Sequence, residues 1–361
     1  MMAGTPERIV IGMSGGVDSS VAAWSLLEEG HKVTGLFMKN WEEDDDDAYC
    51  AAAVDLDYAE QVCQKLNIPL RTVNFAHEYW ENVFTIFLAE YRAGRTPNPD
   101  VLCNREIKFK EFLHHADRLG GARIATGHYA RIGSSQTGLT LLKGLDPAKD
   151  QSYFLHTLGQ YELARTLFPL GGMTKSQVRR QAQALGLPNA ARKDSTGICF
   201  IGERRFKDFL GRYLPVCPGP IKTLDDQVVG EHDGLWYFTL GQRHGLDIGG
   251  PGEAWYVAAK EMEANVLRVV QGHDHPALMS NTAEAIDLHW IEEVPDVSFR
   301  CTAKTRYRQP DQPCTVSSIE PDRIMVEFDH SQRAVTPGQS LVLYQNQTLI
   351  GGGAICHTAN G

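Results

Sequence analysis

Two of the 8 cysteines in this 361-residue chain stand where chemistry is expected. Cys103 follows Ala93-Gly94-Arg95-Thr96-Pro97-Asn98-Pro99-Asp100, whose glycine and two prolines impose a loop, and precedes a helical pattern over Ile107 to Leu119. A thiol at a helix N-terminus is favoured as thiolate, because unpaired N–H groups and the helix dipole stabilise the anion. Arg105 and Lys108 add positive charge, and Asp100 offers a proton acceptor or a contact to a base edge. Cys199 lies in Asp194-Ser195-Thr196-Gly197-Ile198-Cys199-Phe200, with Arg192 and Lys193 before it and Arg204 and Arg205 after. Read alone, that segment also fits a core cysteine. Cys50, Cys63, Cys217, Cys301, Cys314 and Cys356 read as packing residues. No Cys-x-x-Cys occurs, which argues against a structural zinc site or a secreted disulfide scaffold.

A second chemical element is Ser14-Gly15-Gly16-Val17-Asp18-Ser19. An apolar run, Ile9-Val10-Ile11-Gly12-Met13, precedes it, and Val21, Ala22, Leu26 and Leu27 follow at helical spacing, with Gly30 as the stop. Glycines let the backbone approach an anion, and the helix N-terminus points its N–H groups at it. A phosphate site follows. It is neither the Lys-containing P-loop nor the Gly-x-Gly-x-x-Gly dinucleotide fingerprint.

Two clusters suggest RNA contacts by interleaving basic and aromatic residues: Lys304-Thr305-Arg306-Tyr307-Arg308 and Lys149-Asp150-Gln151-Ser152-Tyr153. Their plain readings are a strand with alternating exposed charges and a solvated turn. Thr174 to Leu185 predicts a capped helix with a basic face of Lys175, Arg179 and Arg180. The acidic run Glu42 to Asp47 reads as a solvated loop, with magnesium binding as the alternative.

The elements that must position these residues alternate. Strands are expected at Ile9–Met13, Lys32–Met38, Leu70–Phe75 and Arg123–Thr126, and helices at Ala51–Leu66, Glu78–Tyr91 and Ile107–Leu119. Such a pattern gives an α/β fold with a parallel, doubly wound sheet. Ligands of such sheets sit beyond the carboxyl ends of the strands, so the Ser14–Ser19 loop, Met38 and Gly127-His128 should face one crevice. After about Arg205 short strand-like runs and turn signals dominate, and Ala277 to Ile355 has the makings of a small closed barrel. The expected division is 1–205, 206–276 and 277–361.

Hydrophobic content of 42% describes a globular chain, and the net charge of −10 argues against indiscriminate nucleic-acid binding while leaving room for a local RNA surface. Without a signal-peptide pattern or an apolar run of spanning length, a cytoplasmic location and no membrane partner are expected.

Together these segments resemble one family. Ser14–Ser19 resembles the PP-loop of ATP pyrophosphatases. With Thr96-Pro97-Asn98-Pro99-Asp100-x-x-Cys103-Asn104, Ala125-Thr126-Gly127-His128-Tyr129, Lys149–Tyr153 and Gly197-Ile198-Cys199-Phe200-Ile201-Gly202, the chain resembles the tRNA-specific 2-thiouridylases. The resemblance implies a PP-loop domain, a small central domain and a C-terminal β-barrel. It implies ATP held by Gly12, Met13, Ser14, Gly15, Gly16, Val17, Asp18, Ser19, Met38 and Gly127, and a target uridine contacted by Asn98, Pro99 and Asp100. It assigns tRNA contacts to Lys149, Asp150, Gln151, Arg306 and Tyr307, the nucleophile to Cys103 and a persulfide to Cys199. The implied reaction adenylates the C2 oxygen of wobble uridine 34 and replaces that oxygen with sulfur. ATP is then a substrate, Mg2+ its expected companion, and no resident metal site is expected. The implied partners are tRNAs for Lys, Glu and Gln and a sulfur-relay persulfide donor protein. A PP-loop synthetase acting on a small carbonyl substrate, and a nucleotide-binding sensor, are the competing readings; neither uses Cys103 or Cys199.

Overall fold

The computed structural model describes residues 6–42, 51–194, 206–294 and 298–359. Its first sheet comprises β1 (Arg8–Gly12), β2 (Lys32–Lys39), β3 (Leu70–Asn74), β4 (Arg123–Ala125) and, after a hairpin of β5 (Ala130–Ser134) and β6 (Leu139–Lys143), β7 (Thr166–Leu167). The strand order is β3-β2-β1-β4-β7, and all pairings are parallel. Ile9, Val10, Ile11, Leu36 and Ile124 are buried, as strands covered on both faces require. Connections run outward in opposite senses from β1 and β4. The topological switch point therefore lies beyond Gly12 and Ala125.

The helix after β1, Val17–Glu28, buries Val17, Val21, Ala22 and Leu26, and Gly30 leaves it at φ +86°. Two longer helical stretches carry π-type segments. One runs through Ala76–Tyr79, Trp80–Phe84 and Thr85–Arg92; the other through Pro99–Cys103, Asn104–Glu111 and Phe112–Arg118. The second begins at Pro99, eight residues before the start expected from periodicity alone, because Asn98 caps it and Pro99 takes the first helical position.

A central four-stranded sheet follows: β8 (Gly219–Lys222), β9 (Val228–His232), β10 (Trp255–Glu261) and β11 (Val266–Gln271), in the order β10-β11-β8-β9. The last part is a closed antiparallel barrel of β12 (Met279–Trp290), β13 (Phe299–Lys304), β14 (Gln312–Glu320), β15 (Arg323–Arg333), β16 (Ser340–Gln345) and β17 (Thr348–Ala359). Pairing of β12 with β17 closes it and removes the open edges. The hairpin β5–β6 leaves the parallel sheet and adds to the barrel through β6, with Leu141 opposite Leu349. Among the described residues no helix is long and apolar enough to cross a membrane.

Candidate active site

Ser14–Ser19 forms the turn between β1 and its helix. Gly15 has φ +71°, and a Cβ there would lie 2.3 Å from the Asp55 carbonyl oxygen. The Ser19 hydroxyl donates to Gly16 O at 3.0 Å and accepts from Ser14 N–H at 3.3 Å; the Ser20 hydroxyl donates to Gly16 O at 2.9 Å. Buried Asn189 donates to Gly15 O at 2.8 Å and Arg192 donates to it at 3.3 Å, while Arg192 also pairs with Asp55. The loop is thus held from outside, which keeps its own N–H groups aimed at the crevice. A Cβ at Gly127 would sit 2.9 Å from Ser19 N, so glycine there keeps the helix N-terminus open. A Cβ at Gly12 would meet Met38 Cε at 3.2 Å. These residues fit a nucleotide's phosphates and one flank of its base.

Asp18 faces two partners that sequence reasoning missed. Lys175 Nζ reaches both its carboxylate oxygens at 2.8 Å, and the Tyr129 hydroxyl donates to it at 2.7 Å. Burial, then the Asp18 charge, pushes the Tyr129 phenol far above its ordinary range. Lys175 also meets Asp194 at 2.7 Å, as do Lys149 at 2.7 Å and Arg179 at 2.5 Å. Burial pushes the Asp194 carboxyl up, but hydrogen bonds from Lys149 and Lys175 outweigh it and hold the group well below the carboxylate range. The expected basic face of this helix is therefore largely neutralised; of its three cations only Arg180 stands exposed. Helical periodicity shows Lys175 but not the remote carboxylates it meets.

The helix that carries Asp100 and Cys103 leads into β4, so its N-terminal end lies toward the carboxyl edge of the sheet. Phe112, further along it, approaches the Gly12 Cβ position to 3.4 Å. Asn98 caps it by accepting from Val101 N–H at 3.4 Å. Cys103 is its fifth residue and is fully buried, rather than standing at the helix N-terminus as expected. The preceding loop is clamped by the barrel. Thr96 N–H donates to Pro337 O at 2.9 Å and Gln339 donates to Thr96 O at 2.8 Å. Asp100 Oδ1 is buried with no hydrogen-bond partner among the described residues. His128, at the end of β4, is buried against Phe109 and shares a 2.8 Å hydrogen bond with Thr126. Burial and nearby Lys108 push its imidazole well below its usual value.

The two expected RNA clusters are less exposed than their sequences suggest. Asp150 is buried and accepts from Gly144 N–H at 2.9 Å and Ser152 N–H at 3.1 Å. Gln151 accepts from Tyr129 N–H at 3.0 Å. Lys304 is buried within 3.8 Å of Asp150 and Asp311, Arg306 donates to Ala334 O at 2.6 Å and Leu240 O at 3.2 Å, and Tyr307 packs on Phe154 at 4.4 Å. Arg308 alone of that cluster is exposed. Cys301 and Cys314, read as packing residues, face each other across β13 and β14 with sulfurs 3.6 Å apart. Cys199 and Glu43–Asp47 lie outside the described residues. Among the described residues no cluster of three metal-ligating side chains occurs.

Three family models cover this chain: a tRNA methyl transferase HUP domain over residues 7–203, a tRNA methyl transferase PRC-barrel domain over 207–271 and an aminomethyltransferase beta-barrel domain over 280–355. A tRNA-specific 2-thiouridylase MnmA from Methylococcus capsulatus is 59% identical over 360 residues, covering 98% of this chain and 97% of that protein. The chain belongs to the tRNA-specific 2-thiouridylase family. Proteins of the same name from Salmonella paratyphi B and Shigella flexneri are each 58% identical over 360 residues, covering 98% of both chains. Membership places the chain among the tRNA sulfurtransferases, as its motifs led one to expect.

Proposed function

We propose that this chain converts wobble uridine 34 of tRNA to 2-thiouridine, with ATP spent as AMP and pyrophosphate. The observation that supports the reading is that the Ser14–Ser19 loop and the N-terminal end of the helix bearing Asp100 and Cys103 both lie toward the carboxyl edge of the parallel sheet, with Phe112 of that helical stretch approaching Gly12. Gly12–Ser19, Met38 and Gly127 hold ATP, with Mg2+ accompanying its phosphates. Asn98, Pro99 and Asp100 border the target base, with Asp100 as candidate base or contact.

A carbonyl oxygen is a poor leaving group. The uridine O2 attacks the α-phosphorus, pyrophosphate leaves, and O2 departs later within AMP. Sulfur comes from a persulfide on Cys199. Either Cys103 attacks the inner sulfur and frees hydrosulfide, which attacks C2, or the terminal sulfur attacks C2 and Cys103 then releases the product. Each route joins Cys103 to Cys199 as a disulfide, and a dithiol reductant restores both thiols. A persulfide donor protein reloads Cys199.

Units 1–205, 206–276 and 277–361 divide the work as catalytic, linking and tRNA-contacting parts of a cytoplasmic enzyme. Lys149, Asp150, Gln151, Arg306 and Tyr307 belong to the tRNA-contacting set. Their internal bonds support a role in shaping that surface, with Arg308 presenting its charge. Substrates are tRNAs for Lys, Glu and Gln.

The test is incubation with such a tRNA, ATP, magnesium and sulfide, followed by nucleoside and nucleotide analysis. 2-Thiouridine with AMP and pyrophosphate is expected. ADP and phosphate, or no 2-thiouridine while ATP binds, would overturn the proposal.

A further inference from the structure

Asn104 follows Cys103 directly and is 1% exposed. Its amide nitrogen donates to the Phe154 carbonyl oxygen at 2.9 Å. A carbonyl can only accept, so this bond fixes the orientation of the amide. The other end, Asn104 Oδ1, is buried with no partner among the described residues. Leaving a buried acceptor unpaired costs about 1–3 kcal/mol, so the oxygen calls for a partner that arrives from outside the described residues.

Asp100 lies one helical turn earlier, so the two side chains share a helix face. Its Oδ1 is also buried and unpartnered among the described residues. Two acceptors without donors thus flank Cys103. What they lack is an N–H. Uracil carries one N–H on its pairing edge, N3–H, between its two carbonyls. Cytosine presents an acceptor at the same position.

We propose that Asn104 Oδ1 accepts a hydrogen bond from N3–H of the target uracil and so selects uridine at the reactive position. This inference rests on the function proposed above. The Phe154 bond fixes which end of the amide is the acceptor, and because Asn104 is buried the base reaches Oδ1 only as the packing over it opens. Held at N3, the ring presents its adjacent C2 next to the residue that follows Asp100 by three. Asn104 is then a base-reading residue, and Phe154 the group that aims it.

Binding without ATP tests the inference apart from catalysis. Anticodon stem-loop RNAs would carry uridine or 3-deazauridine, which replaces N3–H by C–H, at the target position. The wild-type chain should prefer uridine by roughly tenfold or more, the worth of one buried hydrogen bond. In Asn104→Ala the preference should fall to within about twofold. Asn104→Asp keeps an acceptor but loses the Phe154 bond that aims it, and should retain only part of the preference; thermal melting of both variants guards against a chain that fails to fold. An equal preference in wild type and Asn104→Ala, or none in wild type, would overturn the inference. A wild-type chain that binds neither RNA would overturn the tRNA function itself.

Discussion

Gly338→Ala is expected to slow thiolation while leaving ATP binding intact. Gly338 lies in the barrel turn between β15 and β16 at φ +91°, and a Cβ there would stand 2.9 Å from the N, C and O atoms of Thr96. The left-handed backbone alone costs an L-residue about 1–2 kcal/mol. Overlap with main-chain atoms adds about 1–3 kcal/mol, as over-packing does. Relief requires a shift of 3.4 − 2.9 = 0.5 Å to reach ordinary contact. Thr96 lies in the loop that leads to Asn98, Asp100 and Cys103, so that shift is passed to the groups proposed to react. A 1 Å misplacement costs about 100-fold in rate, so half of it costs roughly tenfold. The assay is the initial rate of 2-thiouridine formation, with ATP affinity measured by calorimetry and folding by thermal melting. Gly172→Ala is the control, because a Cβ there meets nothing within 4 Å among the described residues. Wild-type turnover in a folded Gly338→Ala chain would refute the clamp, and so would an equal loss of ATP affinity.

Asn98→Ala removes the cap of the Cys103 helix and should lower stability by about 1 kcal/mol in urea unfolding, whereas Asn98→Ser should recover most of it. The folded Asp194 carboxyl sits below its unfolded value, so its contribution to stability is present above about pH 4 and is lost as pH falls through the folded value. Asp194→Asn should therefore show a shallower decline of melting temperature between about pH 4 and pH 2 than the wild type; parallel curves would exclude this. Hydrogen peroxide should convert Cys301 and Cys314 into a disulfide with release of water, seen as a peptide pair linked in mass spectra and absent in Cys314→Ala. Continued alkylation of both thiols after oxidation would count against that pairing.

The parallel sheet was legible because its strands are unbroken apolar runs and its helices carry apolar residues at regular spacing. Ala51–Leu66 and the Thr174 cap fell where periodicity and capping chemistry put them. The barrel was legible from turn residues, but not the transfer of β5–β6 into it, because Ala130–Lys143 looks like any short hairpin. Local signals also misjudged the helix before Cys103. Two prolines read as a break, yet Pro99 is the first residue of the helix and not an interruption. Charge was the least legible feature. Lys175, Arg179 and Lys304 look like solvent-facing cations in sequence, and each is paired with carboxylates remote along the chain. Asn104 left no local signal, since what distinguishes it is a missing partner.

The last strand, β17, pairs with β16, closes the barrel against β12 and receives β6 on the same stretch of sheet. β6 ends at Lys143, and β17 begins at Thr348. During synthesis, then, the hairpin is complete long before its acceptor exists, and one of its edges waits unpaired while roughly two hundred residues are added. The clamp on Thr96 waits as well, because the barrel turn that grips it is itself late. A nascent chain can assemble its nucleotide loop early, whereas the loop before Cys103 is seated only once the final strand arrives. Folding order thereby delays the seating of the Cys103 helix until the barrel is whole.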